Sequence, residues 1–473
     1  MAFNSIHFML FLPVVLALYW TLRRNAVLRI AFLLLASYYF YMSWNVLYAG
    51  LILGSTVLDY FAALGMQRWD RQAVRRGLLV TSLVGNLGVL FVFKYYNFFV
   101  DNVSAVFGFS HGATEAAHHS LLLPVGISFY TFQTLSYTID VYRRKIEPTR
   151  NFLKFALFVS FFPQLVAGPI VRASHFLPPL QRKPFFDDRK AENGLGQVLL
   201  GLFKKICIAD VLGVTIVDPV FADPAACSSW ALAVAMYGYA FQIYYDFCGY
   251  SDIAIGVGKM LGFDLPINFN RPYLATSMRS FWRRWHISLS TWLRDYLYIS
   301  LGGGKGSPWK TARNLAIVML LGGLWHGAAW GFVIWGAIHG LLLGAGRVFH
   351  HFTGIDADRE GQPTVSRIAR IIVTFHLAAG CFVVFRSTSL ETLTAYWSTM
   401  CSLTPGAEPI KSLGYLALLT AAAIEWAPRR WLLATAQTYF RIPSYAQACV
   451  VAGSLLVFAA LGGTSAPFIY FQF

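Results

Sequence analysis

Histidine 326 sits inside an apolar run, LLGGLWHGAAWGFVIWGAIHG from Leu320 to Gly340, with tryptophans on both sides. An ionisable group at membrane depth is costly and normally faces an internal cavity, and an imidazole adds a near-neutral pKa that suits a general base. The alternative is a neutral imidazole that bridges helices by hydrogen bonds. His339 follows 13 positions later. On an unbroken helix it would lie roughly 20 Å away and turned by about 220°. One straight helix therefore cannot bring both rings to one reacting atom. Glycines 327, 331 and 336 permit a break, but packing is the role expected of His339.

Two further segments could carry chemistry. RPYLATSMRSFWRRWHISLSTWLRDYLYISL, from Arg271 to Leu301, repeats Phe281, Trp285, Leu289 and Trp292 at helical spacing, with Arg279, Arg283, Arg284 and Arg294 among the aromatics. This pattern predicts an interfacial helix on the cytoplasmic leaflet. Functionally, the same arginines could hold an anionic, phosphate-bearing donor. Gly302-Gly303-Gly304-Lys305-Gly306 follows; its backbone N–H groups could cradle a phosphate, but it lacks P-loop spacing and a flexible turn is the plainer reading. Asp140 is a third kind of signal, a carboxylate at membrane depth. So is Asp246-Phe247-Cys248-Gly249-Tyr250-Ser251-Asp252, which predicts irregular backbone near a cavity, with capping by Ser251 or Asp252 as the plainer reading.

The elements that hold these residues follow from composition. With 57% hydrophobic and 13% charged residues and a mean hydropathy of +0.54, the 473-residue chain has more apolar side chain than one soluble core can hide. The expectation is an all-α, polytopic membrane protein of about 10–12 spans plus re-entrant or broken helices around a central tunnel. A net charge of +16 does not imply nucleic acid, because the basic residues cluster beside apolar segments and no nucleic-acid module is present. The first apolar segment, 6–22, reads as a retained span because Arg23-Arg24 follows it rather than a cleavage site. The six cysteines show no CxxC pair and no histidine at ligand spacing, so neither a disulfide framework nor a metal site is expected. A bridge between Cys227 and Cys401, both placed in outward loops, is the single disulfide to test.

The basic clusters at 23–24, 68–76 and 143–150 alternate with a segment, 101–119, that has no Lys or Arg. Spans at 6–22, 26–44, 46–66, 77–99 and 120–142 then fit an outward-facing N-terminus. Residues 152–170 have basic flanks on both sides and contain Pro163 and Gly168-Pro169. A re-entrant or broken helix is expected there. Spans at 194–217 and 230–248 come next. The apolar stretch 312–345, basic at both ends, predicts two short helices entering and leaving from the cytoplasmic side. Spans at 368–385, 412–427 and 446–462 place the C-terminus outside, with 350–367 the clearest loop. The whole reads as one domain: N-terminal helices 1–150, a core 151–346 and C-terminal helices 367–473.

With these residues in view, the chain resembles the membrane-bound O-acyltransferase family, especially its bacterial alginate O-acetyltransferase branch. The resemblance rests on PVGISFYTFQTLSYTIDVYR, FFPQLVAGPIVR, DFCGYSDIAIGVGKMLGFDLPINFNRPY, FWRRWHISLSTWLRDYLYISLGG, LWHGAAW and the terminal FIYFQF. Relatives often carry Asn-Arg where this chain has Gly304-Lys305. The resemblance implies an acyltransferase of the bacterial inner membrane, with a tunnel in which a cytoplasmic thioester, acetyl-CoA, meets an acceptor from the other face. It implies no tightly bound cofactor. By motif, His326 matches the family's catalytic histidine and His286 its second functional histidine. Trp325, Arg283, Arg284, Trp285, Asp246, Ser251 and Asp252 are the donor-binding or tunnel-lining candidates. The implied partners are an extracytoplasmic acetyltransferase subunit and a polysaccharide such as alginate; acetylated cellulose, peptidoglycan and D-alanylated teichoic acid stay open as acceptor systems. Base catalysis and an acyl-histidine intermediate also stay open. A transporter would share the many spans and broken helices, and a scaffold with degenerate chemistry is the third reading. Thioester turnover that depends on His326 separates them.

Overall fold

The computed structural model describes residues 1–356, 358, 363–461 and 468–469. Among them there is no β-strand, only an isolated bridge between Cys227 and Ala407. Among the described residues five helices are long and apolar enough to cross a membrane, Ile6–Arg24, Ala49–Arg68, Gln72–Phe107, Trp330–Thr353 and Thr364–Arg386, and three shorter apolar helices accompany them. The chain is a multi-pass membrane protein. It divides into two compact units, residues 1–195 with 254–266, and residues 196–253 with 267–473.

The first unit contains α1 (Ile6–Thr21), α2 (Ala26–Met42), α3 (Ala49–Arg68), α4 (Gln72–Leu90), α5 (Ile127–Tyr142) and α6 (Phe152–Ser160). The first three match the expected spans to within a few residues, whereas α4 starts five residues early and its helix runs on through Phe107, and α5 starts at Ile127. A buried polar knot ties three of them: Asp59 on α3 accepts from Ser82 Oγ (2.5 Å) and Asn86 Nδ2 (3.0 Å) on α4, and Ser82 Oγ lies 3.1 Å from Thr138 Oγ1 on α5. Asp140 belongs to this unit, 3.9 Å from Lys145. The expected broken helix is present. After α6 the chain makes one short turn of helix, Phe162–Leu165, then runs irregularly while remaining buried. Gln133 and Gln164 donate to the Phe158 carbonyl, one of the groups the break frees.

The second unit begins at Gly196 within α7 (Asp188–Leu202), which continues through π-helical turns at Phe203–Asp210 and Gly213–Val217, and goes on with α8 (Ser229–Met260). Through Ile253, α8 belongs to this unit. The segment Asp246–Asp252 is continuous helix, not the irregular backbone expected of it. The stretch 312–345 does form a hairpin, but its arms are not short. Helix α9 (Pro308–His326) has 19 residues and α10 (Trp330–Thr353) has 24. The break falls at Gly327 to Ala329, where the backbone is extended. The arms pack along a seam of small residues. A Cβ on Gly336 would lie 2.4 Å from the Met319 carbonyl oxygen, and one on Gly323 2.2 Å from that of Phe332. Only glycine permits this approach.

Helices α11 (Thr364–Arg386), α12 (Ser412–Trp426) and α13 (Ser444–Leu461) follow the expected C-terminal spans. Between them lie two further helices, Leu390–Ser402 and Arg429–Arg441, outside the predicted spans. Cys227 is buried, Cys401 is exposed and both thiols are free, so the tested bridge is not formed.

Candidate active site

His326 is the last residue of α9 and is 4% exposed. Its ring is enclosed by Trp325 (5.1 Å between centroids), Trp335 (5.1 Å) and Phe385 (5.2 Å), all edge-on. The break after α9 makes this enclosure. A Cβ at Gly327 would sit 2.1 Å from the Phe332 ring, so that ring closes over the turn only because residue 327 is glycine. The fold also overturns the straight-helix spacing of His339. Because α10 doubles back on α9, Trp335 comes to 5.1 Å from His326, and His339, one turn further along α10, packs on the same indole at 4.5 Å. Its Nδ1 accepts from Trp282 Nε1 at 3.2 Å. An indole nitrogen only donates, so in the neutral imidazole the proton is on Nε2. His339 Nε2 and Trp335 Nε1 are buried and have no acceptor among the described residues.

His286 reaches the same row from the other side, 5.9 Å from Trp325. The rings therefore alternate, His286, Trp325, His326, Trp335, His339. The uninterrupted helix predicted over 271–301 does not form. Helix Met278–Trp282 ends at Arg283, the chain turns, and helix Ile287–Trp292 starts after His286, whose φ of 42° is left-handed. That turn lets the arginines face outward while His286 goes inward, fully buried.

Asn268 fixes His286, and no motif or periodicity in the sequence marks it. Its Oδ1 accepts from Ser288 N (3.2 Å), Ser288 Oγ (2.9 Å) and His286 Nδ1 (3.2 Å). A backbone N–H can only donate, so that atom is oxygen and His286 Nδ1 carries the proton. Asn268 Nδ2 donates to Ser251 Oγ at 3.3 Å, so Ser251 is tied to His286 through the amide. The Phe247 ring meets His286 edge-on at 4.6 Å, and Phe468 packs on Phe247. Burial pushes the His286 imidazole down to about 3.

Arg283 is exposed, and Arg284 is half-buried, bonding Ser280 Oγ (3.4 Å) and the Asn270 carbonyl (3.3 Å). Trp285 is enclosed by Phe281, Phe269 and Phe382 at 5.5, 5.1 and 5.0 Å. Asp246 and Asp252 are held by neighbouring lysines from the π-helical turn: Lys205 bridges Asp246 (2.7 Å) and Asp210 (2.8 Å), and Lys204 bonds Asp252 (2.6 Å). Asp246 Oδ2 also accepts from Ile469 N at 2.7 Å. Arg279 pairs with Asp356 (2.6 Å) and Asp358 (3.0 Å). Gly302 to Gly306 form a turn, with Asn314 Nδ2 donating to the Leu301 and Gly303 carbonyls. Among the described residues no group of three or more His, Cys, Asp or Glu could hold a metal ion.

Residues 141–379 match the sequence profile of the membrane-bound O-acyltransferase family. The probable alginate O-acetylase of Azotobacter vinelandii is 44% identical over 85% of this chain and 78% of its own length. A Helicobacter pylori peptidoglycan O-acetyltransferase is 38% identical over 80% of this chain and 76% of its own. The teichoic acid D-alanyltransferase of Bacillus subtilis is 26% identical over 58% and 72%.

Proposed function

The chain belongs to the membrane-bound O-acyltransferase family, and from that premise we propose that it carries an acetyl group from cytoplasmic acetyl-CoA to a hydroxyl presented on the other side of the inner membrane. That it is an O-acyltransferase follows from the family and its relatives. The final acceptor in this reading is an extracytoplasmic polysaccharide of the alginate type, reached through a partner acetyltransferase. Identity favours it, falling from 44% for the alginate relative to 38% and 26% for those named for peptidoglycan and teichoic acid. Alternation of basic and uncharged loops supports termini on the periplasmic side.

The observation that carries the proposal is the aromatic enclosure of His326 at the apex of the α9–α10 hairpin. As the acceptor oxygen attacks the thioester carbonyl, His326 takes the hydroxyl proton. The C–S bond then breaks and the same proton passes to the departing thiolate. His326 ends a helix, where the carbonyl ends favour the imidazolium formed on the way by about 0.3–1 kcal/mol. A base so placed contributes roughly 10²- to 10⁴-fold in rate. His286, its proton committed to Asn268, offers a lone pair at Nε2. That supports a role in orienting an N–H or O–H of a substrate over one in polarising the carbonyl. Trp335 Nε1–H and His339 Nε2–H are the donors we assign to the developing oxyanion.

The test is acetyl-CoA turnover in proteoliposomes with His326→Ala and His326→Gln, alongside melting temperature and donor binding. Loss of turnover with intact folding and donor binding is expected. Wild-type turnover in either variant refutes the assignment, and solute flux without thioester cleavage would replace it with a transporter.

A further inference from the structure

A cavity of about 560 Å³ lies between α8, α11 and α12, away from the histidine row, with walls that include Phe241, Ile372, Phe375, Leu418, Leu419 and Trp426. Its volume is that of a small-molecule site. Its lining is apolar apart from Tyr237 and His376, and His376 Nδ1 is engaged by the Ile372 carbonyl of its own helix at 2.7 Å. Ile368, Ile372 and Leu419 on its rim are 51%, 50% and 68% exposed. On helices of a membrane protein, such exposure faces acyl chains rather than water.

One end of the groove is basic. Trp426, 45% exposed, closes the α12 side as a tryptophan at headgroup depth does, and exposed Arg429 and Arg430 follow it. On the α11 side, exposed Arg367 and half-buried Arg370 directly precede the lining residues Ile368 and Ile371. None of the four has an ion-pair partner among the described residues. The carboxylate at this end, Glu425, is buried and accepts from Tyr273 N at 3.3 Å. Arg271 donates to the Glu425 and Ala427 carbonyls, tying down the end of α12. The loop charges place this end on the cytoplasmic side, where anionic lipid is found.

We propose that the groove binds one anionic phospholipid of the cytoplasmic leaflet. An acyl chain lies along Ile372, Phe375 and Leu418, and the phosphate sits among Arg367, Arg370, Arg429 and Arg430. The groove wall backs onto the active-site scaffold: Phe375 packs on Tyr273 at 5.0 Å, and Tyr273 on Trp285, the neighbour of His286, at 6.3 Å.

Native mass spectrometry of the full chain in detergent tests this, with phosphatidylglycerol and phosphatidylcholine of identical chains as probes. One phosphatidylglycerol is expected to be retained in preference. Each arginine contributes roughly fivefold, so neutralising all four to Gln lowers retention of phosphatidylglycerol by roughly 10²- to 10³-fold and removes its preference over phosphatidylcholine. Ile372→Trp, which fills the groove without touching a charge, is expected to lose the lipid while keeping its melting temperature. Equal retention of both lipids overturns the proposal. So does retention that survives both variants, or full displacement by glycerol 3-phosphate, which would mark a simple anion site. A dimer or partner complex lost in Ile372→Trp with no lipid retained by the wild type would assign the groove to a protein helix instead.

Discussion

Asn268→Asp would change one atom beside His286 and so give that imidazole a different titration. The carboxylate keeps the acceptor that Ser288 N, Ser288 Oγ and His286 Nδ1 share. It replaces the amide that donates to Ser251 with an oxygen that the Ser251 hydroxyl can turn to meet. What it adds is a negative charge in contact with a buried ring. Two unit charges about 4 Å apart interact by roughly 4 kcal/mol at an effective dielectric constant of 20, or about 3 pKa units. Burial has pushed His286 down to about 3, so the variant should titrate near roughly 6. In the wild type His286 stays neutral throughout the neutral range. In the variant the imidazole becomes cationic as pH falls through that range, Nε2 loses its lone pair, and turnover acquires an acid limb. The assay is the pH dependence of thiol release from acetyl-CoA in proteoliposomes between pH 5.5 and 8.5. A well-folded Asn268→Asp protein whose profile superimposes on that of the wild type would refute both the tautomer and the orienting role.

Three other outcomes follow from the geometry. Trp335→Phe keeps the ring beside His326 but removes the N–H, and His339→Leu removes the second donor. Each should lower kcat by roughly 10²-fold with little change in KM, and a change confined to KM would count against the oxyanion assignment. Gly336→Leu should abolish the folded protein, because even its Cβ would meet the Met319 carbonyl at 2.4 Å; a monodisperse, wild-type elution profile would contradict the seam. Lys205→Met strands Asp210 and Asp246 and should cost about 3–5 kcal/mol in detergent melting, whereas adding Asp210→Asn and Asp246→Asn should recover much of it. Equal melting of the single and triple variants would show that the lysine does not compensate those charges.

Much of this was legible in the sequence where the signal is local. Hydropathy and loop charge located α1 to α4, and Pro163 with Gly168 marked the broken helix. Glycine 327 marked the turn that His326 needs. The failures share a cause. The aromatic period through 281–292 is real, yet the chain breaks at Arg283 to His286, where Asn268, outside that period, takes up backbone and side-chain groups of His286 to Ser288. Its backbone carbonyl receives Ile287 N at 2.9 Å. No periodicity can register such a partner. Lys204 and Lys205 lie inside an expected span, and what makes them tolerable there is a set of carboxylates mostly on another helix. The helical spacing that separates His339 from His326 holds only for an unbroken helix, and the chain turns between them at Gly327.

The left-handed backbone of His286 bears on how any substitution there should be read. Most side chains resist that conformation, and asparagine is among the few that take it readily. An alanine at 286 would remove the imidazole and also press the turn between two short helices toward an ordinary geometry, so lost activity would mix chemistry with misplacement of Arg283 and Arg284. Asparagine at the same position removes the imidazole while sparing the bend. A scan confined to alanine would overstate what the imidazole contributes, and the Asn-against-Ala difference measures how much of position 286 is conformational.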